Sequence, residues 1–502
     1  MAPKQVFFRG LLILALSVCV SVLMHAYGYT KPQMLACTVF AMTVMATLLF
    51  WEFRLAVAFL GIAALFACNV LTLDRFVESC ELPVILFLMG MMVTVAVLKE
   101  LGFFTWIIQL IVNTHRMTGI AFTLSVMGLS ALLACAVDEV TSIVFVCALV
   151  FHVCDTLRVS ATPFLMMAVM ATNIGSAGTM IGNPVGLLIS HRAGFTFEDF
   201  IVWAFPVMIA CLIAAMGVLL LWFRREIKQL SDRLDERRKQ KLDLGPLVRV
   251  PYRRGLAIFV ITVGIIAIHH RIETLLGLEQ NTLLMTAPLA IAGMLMIWRH
   301  ERAKHYIEAE VDWWELLFFM MLFAKAGALE HTGVASRIAT DFAATFHGSP
   351  VLLLSVMLGI SAIGSALVDN VVFVAAFVPV VRELQATPLW WALLFGACLG
   401  GNMTMIGSAA NIIAVGMLEK RHRRSINFVQ WLKVGVIVGT VTCVVAWGAL
   451  MLMAKHMPAQ PLYPHDGWGA WPDQHEAADQ RQSLPPSPEA ATEPNRPTTG
   501  TH

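Results

Sequence analysis

A chain of 502 residues with 58% apolar and only 14% charged side chains, and a mean hydropathy of +0.75, has the composition of a membrane protein rather than of a string of soluble domains. A net charge of +2, with basic residues clustered in loops, argues against a nucleic-acid-binding face. Ten cysteines are scattered, mostly inside apolar runs (Cys19, Cys37, Cys135, Cys211, Cys443) and without C-x-x-C or Cys/His ligand spacing, so they read as small core residues and no cofactor is expected.

In chain order, apolar stretches of spanning length occupy 6–26, 33–50 and 55–73, and residues 1–54 read as N-terminal membrane helices. Lys4 and Arg9 mimic the start of a secretory signal, but no small-x-small cleavage site follows, so the first helix is expected to stay. An acidic loop runs from Asp74 to Glu81. The apolar stretch 131–150 is then interrupted by Asp138-Glu139, predicting a re-entrant hairpin near 118–157 with arms of about ten to eighteen residues. His152, Asp155 and Arg158 close it at the surface. A second break, Asn173 to Thr179 and on to Gly182-Asn183, precedes the span 200–223, and residues 55–223 form one repeat.

Residues 224–254 carry eleven Lys/Arg against five Asp/Glu and read as a solvated cytoplasmic connector, with a charged helix over Arg224 to Lys241 as the alternative. Spans follow at 255–268 and 282–298. The apolar run 316–329 contains Lys325. The stretch 360–380 is interrupted by Asp369-Asn370, predicting a second hairpin near 350–385. Another break, Gly400-Gly401-Asn402-Met403-Thr404 and on to Gly407-Ser408 and Asn411, precedes the last span, 428–453. Residues 255–454 form the second half. The tail, 455–502, has nine prolines among polar residues and is expected to be disordered.

The positive-inside rule puts the basic connector in the cytoplasm and fixes the rest. Lys4/Arg9, Glu52/Arg54, His115/Arg116, Arg299 to Lys304 and Lys420 to Arg424 then fall inside, and Asp74 to Glu81 outside. The N-terminus is cytoplasmic, the C-terminus periplasmic, and the fold is an all-α polytopic one of about eleven spans plus two hairpins in a bacterial inner membrane.

An internal repeat is legible. An offset of 231 superposes Phe87-Leu88-Met89 on Phe318-Phe319-Met320, Leu98 on Leu329, Gly102 on Gly333 and Val137-Asp138 on Val368-Asp369. An offset of 225 places Thr179-Met180-Ile181-Gly182 on Thr404-Met405-Ile406-Gly407. The charge-based topology turns the two copies in opposite directions, the architecture of alternating-access transporters.

A carboxylate at the centre of a membrane helix costs ~2.5 to 3.5 kcal/mol on insertion scales, which marks Asp138, Glu139 and Asp369 as functional candidates. Unwound carbonyls and hydroxyls at the breaks suit a cation, and exposed helix N-termini suit an anion. The candidate ion and substrate site is therefore Asp138, Glu139, Thr141, Asn173, Gly175, Thr179, Gly182, Asn183, Asp369, Asn370, Gly401, Asn402, Thr404, Gly407, Ser408 and Asn411. Na⁺ is a candidate at Asp138, Asn173, Asp369 and Asn402. The plainer alternative is that the glycines permit close packing and each acid is a buried fold determinant. Lys325 either neutralises Asp138 or Asp369, displaces a coupling cation, or pairs with Glu330.

The motifs Ser365-Ala366-Leu367-Val368-Asp369-Asn370, Gly400 through Asn411 and Val311-Asp312-Trp313 resemble the ion transporter superfamily, in its branch of citrate transporters, arsenite permeases, the melanosomal P protein and D-type sodium/proton antiporters. The resemblance covers roughly residues 30–455. It implies a scaffold and a transport domain, a homodimer, and a site at hairpin tips and helix breaks, with roles falling on Asp138, Thr141, Asn173, Thr179, Asp369, Asn370, Asn402, Thr404 and Asn411. Asp138-Glu139-Val140 and Asp369-Asn370-Val371 stand where dicarboxylate transporters have Ser-Asn-Thr tips. Gly182-Asn183-Pro184-Val185-Gly186 replaces a Gly-Asp-Pro-Pro-Asn string, and Cys398 stands where a second asparagine is expected.

The expected function is H⁺- or Na⁺-coupled secondary transport of a small ion by an elevator-like motion, as anion carrier or sodium/proton exchanger. The rivals are an intramembrane enzyme with an Asp138/Asp369 dyad and a passive channel. No phosphate-binding G-x-x-x-x-G-K-[ST] loop supports an ATP-driven pump.

Overall fold

The computed structural model describes residues 3–50, 53–112, 117–240, 252–279, 281–346, 349–422 and 426–458, and among them every regular element is a helix. The expected tail 455–502 lies outside the described residues from 459 onward, as does part of the connector, 241–251. Helices answer the apolar composition because a lipid-embedded backbone must satisfy its own hydrogen bonds. Among the described residues nine helices are long and apolar enough to cross a bilayer, or ten if the bent pair Thr282–Trp298 and His300–Glu310 counts as one span. This is a multi-pass membrane protein.

One predicted span is shorter than expected. The 55–73 stretch forms a helix only over Arg54–Ala67, fourteen residues, which rise about 21 Å against a hydrocarbon core of about 30 Å. It stops at Cys68 because Asn69 takes a left-handed φ of 55° and turns the chain toward the short helix Leu73–Ser79.

Both acid-interrupted segments fold back on themselves. Gly119–Ala136 and Glu139–Leu157 meet at Val137-Asp138, and Ser142 Oγ donates to Ser130 O at 3.0 Å across the turn. A continuous helix would hold those residues about 18 Å apart. Pro350–Leu367 and Asn370–Leu384 do the same, with the Phe373 ring packed where a Gly364 side chain would stand. The arms have 18 and 19 residues in the first hairpin and 18 and 15 in the second, at the upper end of the expected ten to eighteen, because each helix continues past its apolar stretch to a surface cap.

Helix bounds recur at the sequence offsets. Leu82–Glu100 corresponds to Trp313–His331 and Gly119–Ala136 to Pro350–Leu367 at 231, while Thr162 and Thr387 open corresponding helices at 225. In each copy the first hairpin arm packs most closely on the helix that follows the hairpin, Thr162–Ser176 or Thr387–Gly400.

In the connector the alternative reading holds: Arg224–Lys239 is a charged helix, and its Ile227, Leu230 and Leu234 form a buried stripe at helical spacing. That stripe docks on the base of the first hairpin: Gly119 N donates to Ser231 Oγ (2.8 Å), Arg238 to Met117 O (2.9 Å) and Arg237 to Thr156 O (3.2 Å). Three apolar residues among many charges suffice, because the remaining side chains stay in water.

Candidate functional site

Each hairpin turns at an aspartate for a local reason. Asp138 caps the Glu139–Leu157 helix, its Oδ1 accepting from Thr141 N at 2.6 Å, and Asp369 caps Asn370–Leu384 by accepting from Val371 N at 3.0 Å. Asn370 Oδ1 accepts from the same Val371 N at 2.9 Å. An acid at the N-cap satisfies an orphan amide and opposes the positive helix terminus. The capping explains why an aspartate fits there, but Glu139 has no such role. It is 3% exposed and its Oε2 has no hydrogen-bond partner.

The tips from the two halves come together. Glu139 lies within electrostatic reach of Asp369, Glu315 and Asp138, and Glu315 in turn of Asp369 and Asp138. Arg54 faces this group, 4.0 Å from Glu315 and over the Phe318 ring at 4.7 Å. Sequence reasoning missed both of these residues. Glu315 sits in the first turn of Trp313–His331, where an acid is ordinary, and Arg54 reads as a loop charge, yet it is 5% exposed.

The helix breaks form a second polar layer. The Thr162–Ser176 and Thr387–Gly400 helices end, and Pro184–Ala193 and Ala409–His422 begin, around non-helical stretches 177–183 and 401–408. Asn173 lies in the last turn before the first break and Asn411 in the first turn after the second, so neither belongs to unwound chain. Asn173 Nδ2 donates to Asn402 Oδ1 (2.9 Å) and Asn411 Oδ1 (2.8 Å), while Ser408 Oγ donates to Asn173 Oδ1 (3.0 Å). Asn411 Nδ2 donates to the carbonyls of Gly401 (2.7 Å) and Thr404 (2.8 Å), and Asn402 Nδ2 to Met170 O (3.3 Å). The side-chain oxygens named for Na⁺ on Asn173 and Asn402 are thus already accepting.

Threonines tie these breaks to the hairpins in matching fashion. Thr179 donates to Cys135 O and Thr404 to Ala366 O, two contacts related by the repeat offsets. So are the close approaches of Gly175 to Ala131 and of Gly400 to Ala362, where a Cβ would stand 2.4 and 2.2 Å from backbone atoms. Gly182 and Gly407 are likewise crowded, by Ser176 O and by Gly401 O. The packing role of these glycines is therefore real; Gly401 takes part as Gly407's neighbour.

The two departures from the family pattern touch each other. Asn183 Nδ2 donates to Cys398 Sγ at 3.1 Å and to Ser176 Oγ at 2.8 Å, and its Oδ1 accepts from Gly186 N at 2.7 Å as the cap of Pro184–Ala193. Gly186 needs no side chain for that bond. Lys325 corrects the sequence reading. It is 1% exposed and donates to Thr43 Oγ1 at 2.6 Å on the Lys31–Leu49 helix, far along its own helix from Glu315. Glu330, its proposed partner, pairs instead with Arg382 (2.7 Å) and Arg192 (3.5 Å). Ten residues separate Lys325 from Glu315, about 15 Å of helix, which removes it from the tips. Among the described residues no three His, Cys, Asp or Glu side chains gather as a metal-ligating group, so a metal cation would have to draw on carbonyls and hydroxyls as well.

A helical membrane scaffold enclosing buried carboxylates and broken helices is the build of a solute transporter. The comparisons name the family: residues 37–396 match the citrate transporter family, and the chain belongs to it, within the ion transporter superfamily. An uncharacterised transporter of Mycobacterium tuberculosis is 32% identical over 80% of this chain and 93% of its own length. The human P protein is 26% identical over 86% of this chain and 61% of its own length. The crystal structure of the YdaH transporter of Alcanivorax borkumensis shares the fold, with a TM-score of 0.52 at 14% identity over 79% of this chain and 89% of that one.

Proposed function

We propose that this transporter is a secondary active carrier of a small ion, driven by H⁺ or Na⁺, with the hairpin tips as its ion site. The observation that carries the reading is that Asp138, Glu139, Asp369 and Glu315, from both halves of the chain, lie within electrostatic reach of one another beside Arg54, with Glu139, Asp369 and Arg54 buried and Asp138 and Glu315 half-buried. Isolated buried charge is costly, so such a cluster must gain and lose cations or protons to be tolerated. The excess of acid favours the cation-handling version, sodium/proton exchange, over a citrate-like or arsenite-like anion. Lys325, which would have supported the anion version, stands elsewhere.

Antiparallel repeats supply the alternating access. Glu81, at the start of Leu82–Glu100, meets Glu330, at the end of the corresponding Trp313–His331, through Arg192 (Arg192–Glu330 3.5 Å), as oppositely directed copies require. With the basic connector cytoplasmic, that ion-pair network is periplasmic, while Glu100 with Arg299 and Lys99 with Glu310 (3.0 Å) mark the cytoplasmic end. The hairpins are then re-entrant, the first from the cytoplasm and the second from the periplasm, in an elevator-type homodimer of a bacterial inner membrane. A membrane potential contributes ~2.3 kcal/mol per charge per 100 mV to such a cycle.

The test is flux in proteoliposomes with Asp369→Asn. Coupled Na⁺ or H⁺ flux should fall by at least an order of magnitude, and unchanged flux would refute the site. Cleavage of a membrane substrate without flux would favour the aspartyl-dyad enzyme; non-saturating flux independent of a gradient would favour a channel.

A further inference from the structure

At the end of the molecule assigned to the periplasm, one arginine joins two groups of helices. Arg192 lies in the last turn of Pro184–Ala193, which packs on the second arm of the second hairpin, Asn370–Leu384. Its guanidinium pairs through Nε with Glu81, at the start of Leu82–Glu100, and through Nη1 with Glu330, near the end of Trp313–His331, at 3.5 Å. His191 Nδ1 stands 2.8 Å from the same Glu81 carboxylate. Arg382, in the last turn of the hairpin arm, pairs with Glu330 at 2.7 Å. A planar, forked guanidinium suits two acids from separate helices, a geometry that an ammonium lacks.

The pairs stand beside a smooth seam. Next to Glu81 and Arg192, a cavity of about 10 Å³, room for about one water, is lined by Phe323, Ala326 and Gly327 from one group and by Ala375, Val378 and Pro379 from the other. Apolar surfaces of this kind shear past one another, so the ion pairs at the rim are what fix the register of the two groups.

The other copy of the repeat lacks both bridging cations. At the offset of 231, Glu81 corresponds to Asp312 and Glu330 to Lys99, while at 225 Arg192 corresponds to Met417. Arg382 corresponds to Phe151 by the first offset and to Leu157 by the second. Asp312 caps its own helix instead, accepting from Glu315 N at 3.1 Å, and Lys99 pairs with Glu310 at 3.0 Å. Both contacts stay on the Leu82–Glu100 and Trp313–His331 side.

We infer that Arg192 and Arg382 form a one-sided latch that holds Pro184–Ala193 and the second hairpin against Leu82–Glu100 and Trp313–His331, and so biases the carrier toward the arrangement of this structure. The inference rests on the alternating access proposed above. Inverted repeats reach the opposite-facing state by exchanging conformations, so identical copies would give two states of equal free energy. A contact present in one copy alone tilts that balance, by as much as its strength differs between the two states.

Hydrogen–deuterium exchange of the lipid-reconstituted full chain, read peptide by peptide, tests it. Arg192→Met should raise exchange about tenfold or more at the periplasmic ends, residues 185–193 and 376–384, and lower it severalfold at the cytoplasmic ends, 151–157 and 413–422, as the population crosses to the other state. Adding Met417→Arg, which sets a cation opposite Asp312 in the other copy, should carry both changes further. Exchange raised at the periplasmic ends with no fall at the cytoplasmic ones marks local loosening and overturns the inference, as does a wild-type pattern. If Arg192→Met fails to fold, Arg382→Gln and Glu330→Gln, at more exposed positions, decide it by the same paired readout, with a smaller shift of the same form expected. Reciprocal exchange in a protein that carries no flux would sink the transport reading and keep the latch; flux in a protein whose exchange is not reciprocal would do the opposite.

Discussion

At the helix breaks, the amides of Asn173, Asn402 and Asn411 all both donate and accept, whereas at the hairpin tips, joined to them through Ser176, Glu139 Oε2 has no partner and Arg54 stands 4.0 Å from Glu315. The first layer is neutral and saturated, so it can hold the two halves in register at all times. The second is charged and undersatisfied, so its stability depends on what binds to it. Buried polar networks are rigid when complete and responsive when they are not.

The comparison breaks most easily at Asn173. Asn173→Ala would strand Asn402 Oδ1 and Asn411 Oδ1 and leave the Ser408 hydroxyl without its acceptor, and we expect a loss of about 2 to 4 kcal/mol, seen as a lower melting temperature in detergent. Asp369→Asn should cost flux and leave the melting temperature nearly unchanged; the opposite pattern for the pair would invert the roles of the two layers. Next come Gly175→Ala and Gly400→Ala, each forced against backbone, at about 1 to 3 kcal/mol. Equal effects would sharpen the equivalence of the two copies.

Lys325→Met tests a third kind of buried polar group, a cation that donates to the Thr43 hydroxyl. Removing a buried charge of that kind should be neutral or stabilising by about 1 kcal/mol in the same melts, with Thr43→Val as the companion change. The smallest effect concerns Glu81. Burial alone would raise its carboxyl, but the charge of Arg192 and the hydrogen bond from His191 outweigh it and hold it below the usual carboxylate range. Its contribution is therefore complete above the unfolded value of about 4.3 and is lost as pH falls through the lower folded one. Glu81→Gln should melt earlier at neutral pH and converge with the wild type in acid; parallel melting curves at all pH values would contradict this.

Much of this was legible in the chain itself. The apolar runs fixed a helical membrane fold, and the repeat offsets anticipated helix bounds in the second copy, because hydrophobic patterning and cap residues act locally. The tip aspartates stood out because acid in an apolar run is costly. Glu315 and Arg54 did not stand out, since a first-turn acid and a basic residue at a span's edge are what any membrane helix shows. The connector helix was ranked second, and its docking missed, for a related reason: its buried stripe has three residues in a sea of charge, and only the hairpin base beneath it gives that stripe a use.

Sequence alone determined a helical, multi-pass membrane fold and where its helices break, and supplied the offsets at which helix bounds recur, all consequences of short-range patterns. Tertiary structure alone decided which carboxylate meets a cation and which does not, that Lys325 serves Thr43, and that Asn183 meets Cys398. Those outcomes depend on contacts between segments more than two hundred residues apart, and no local energy specifies them.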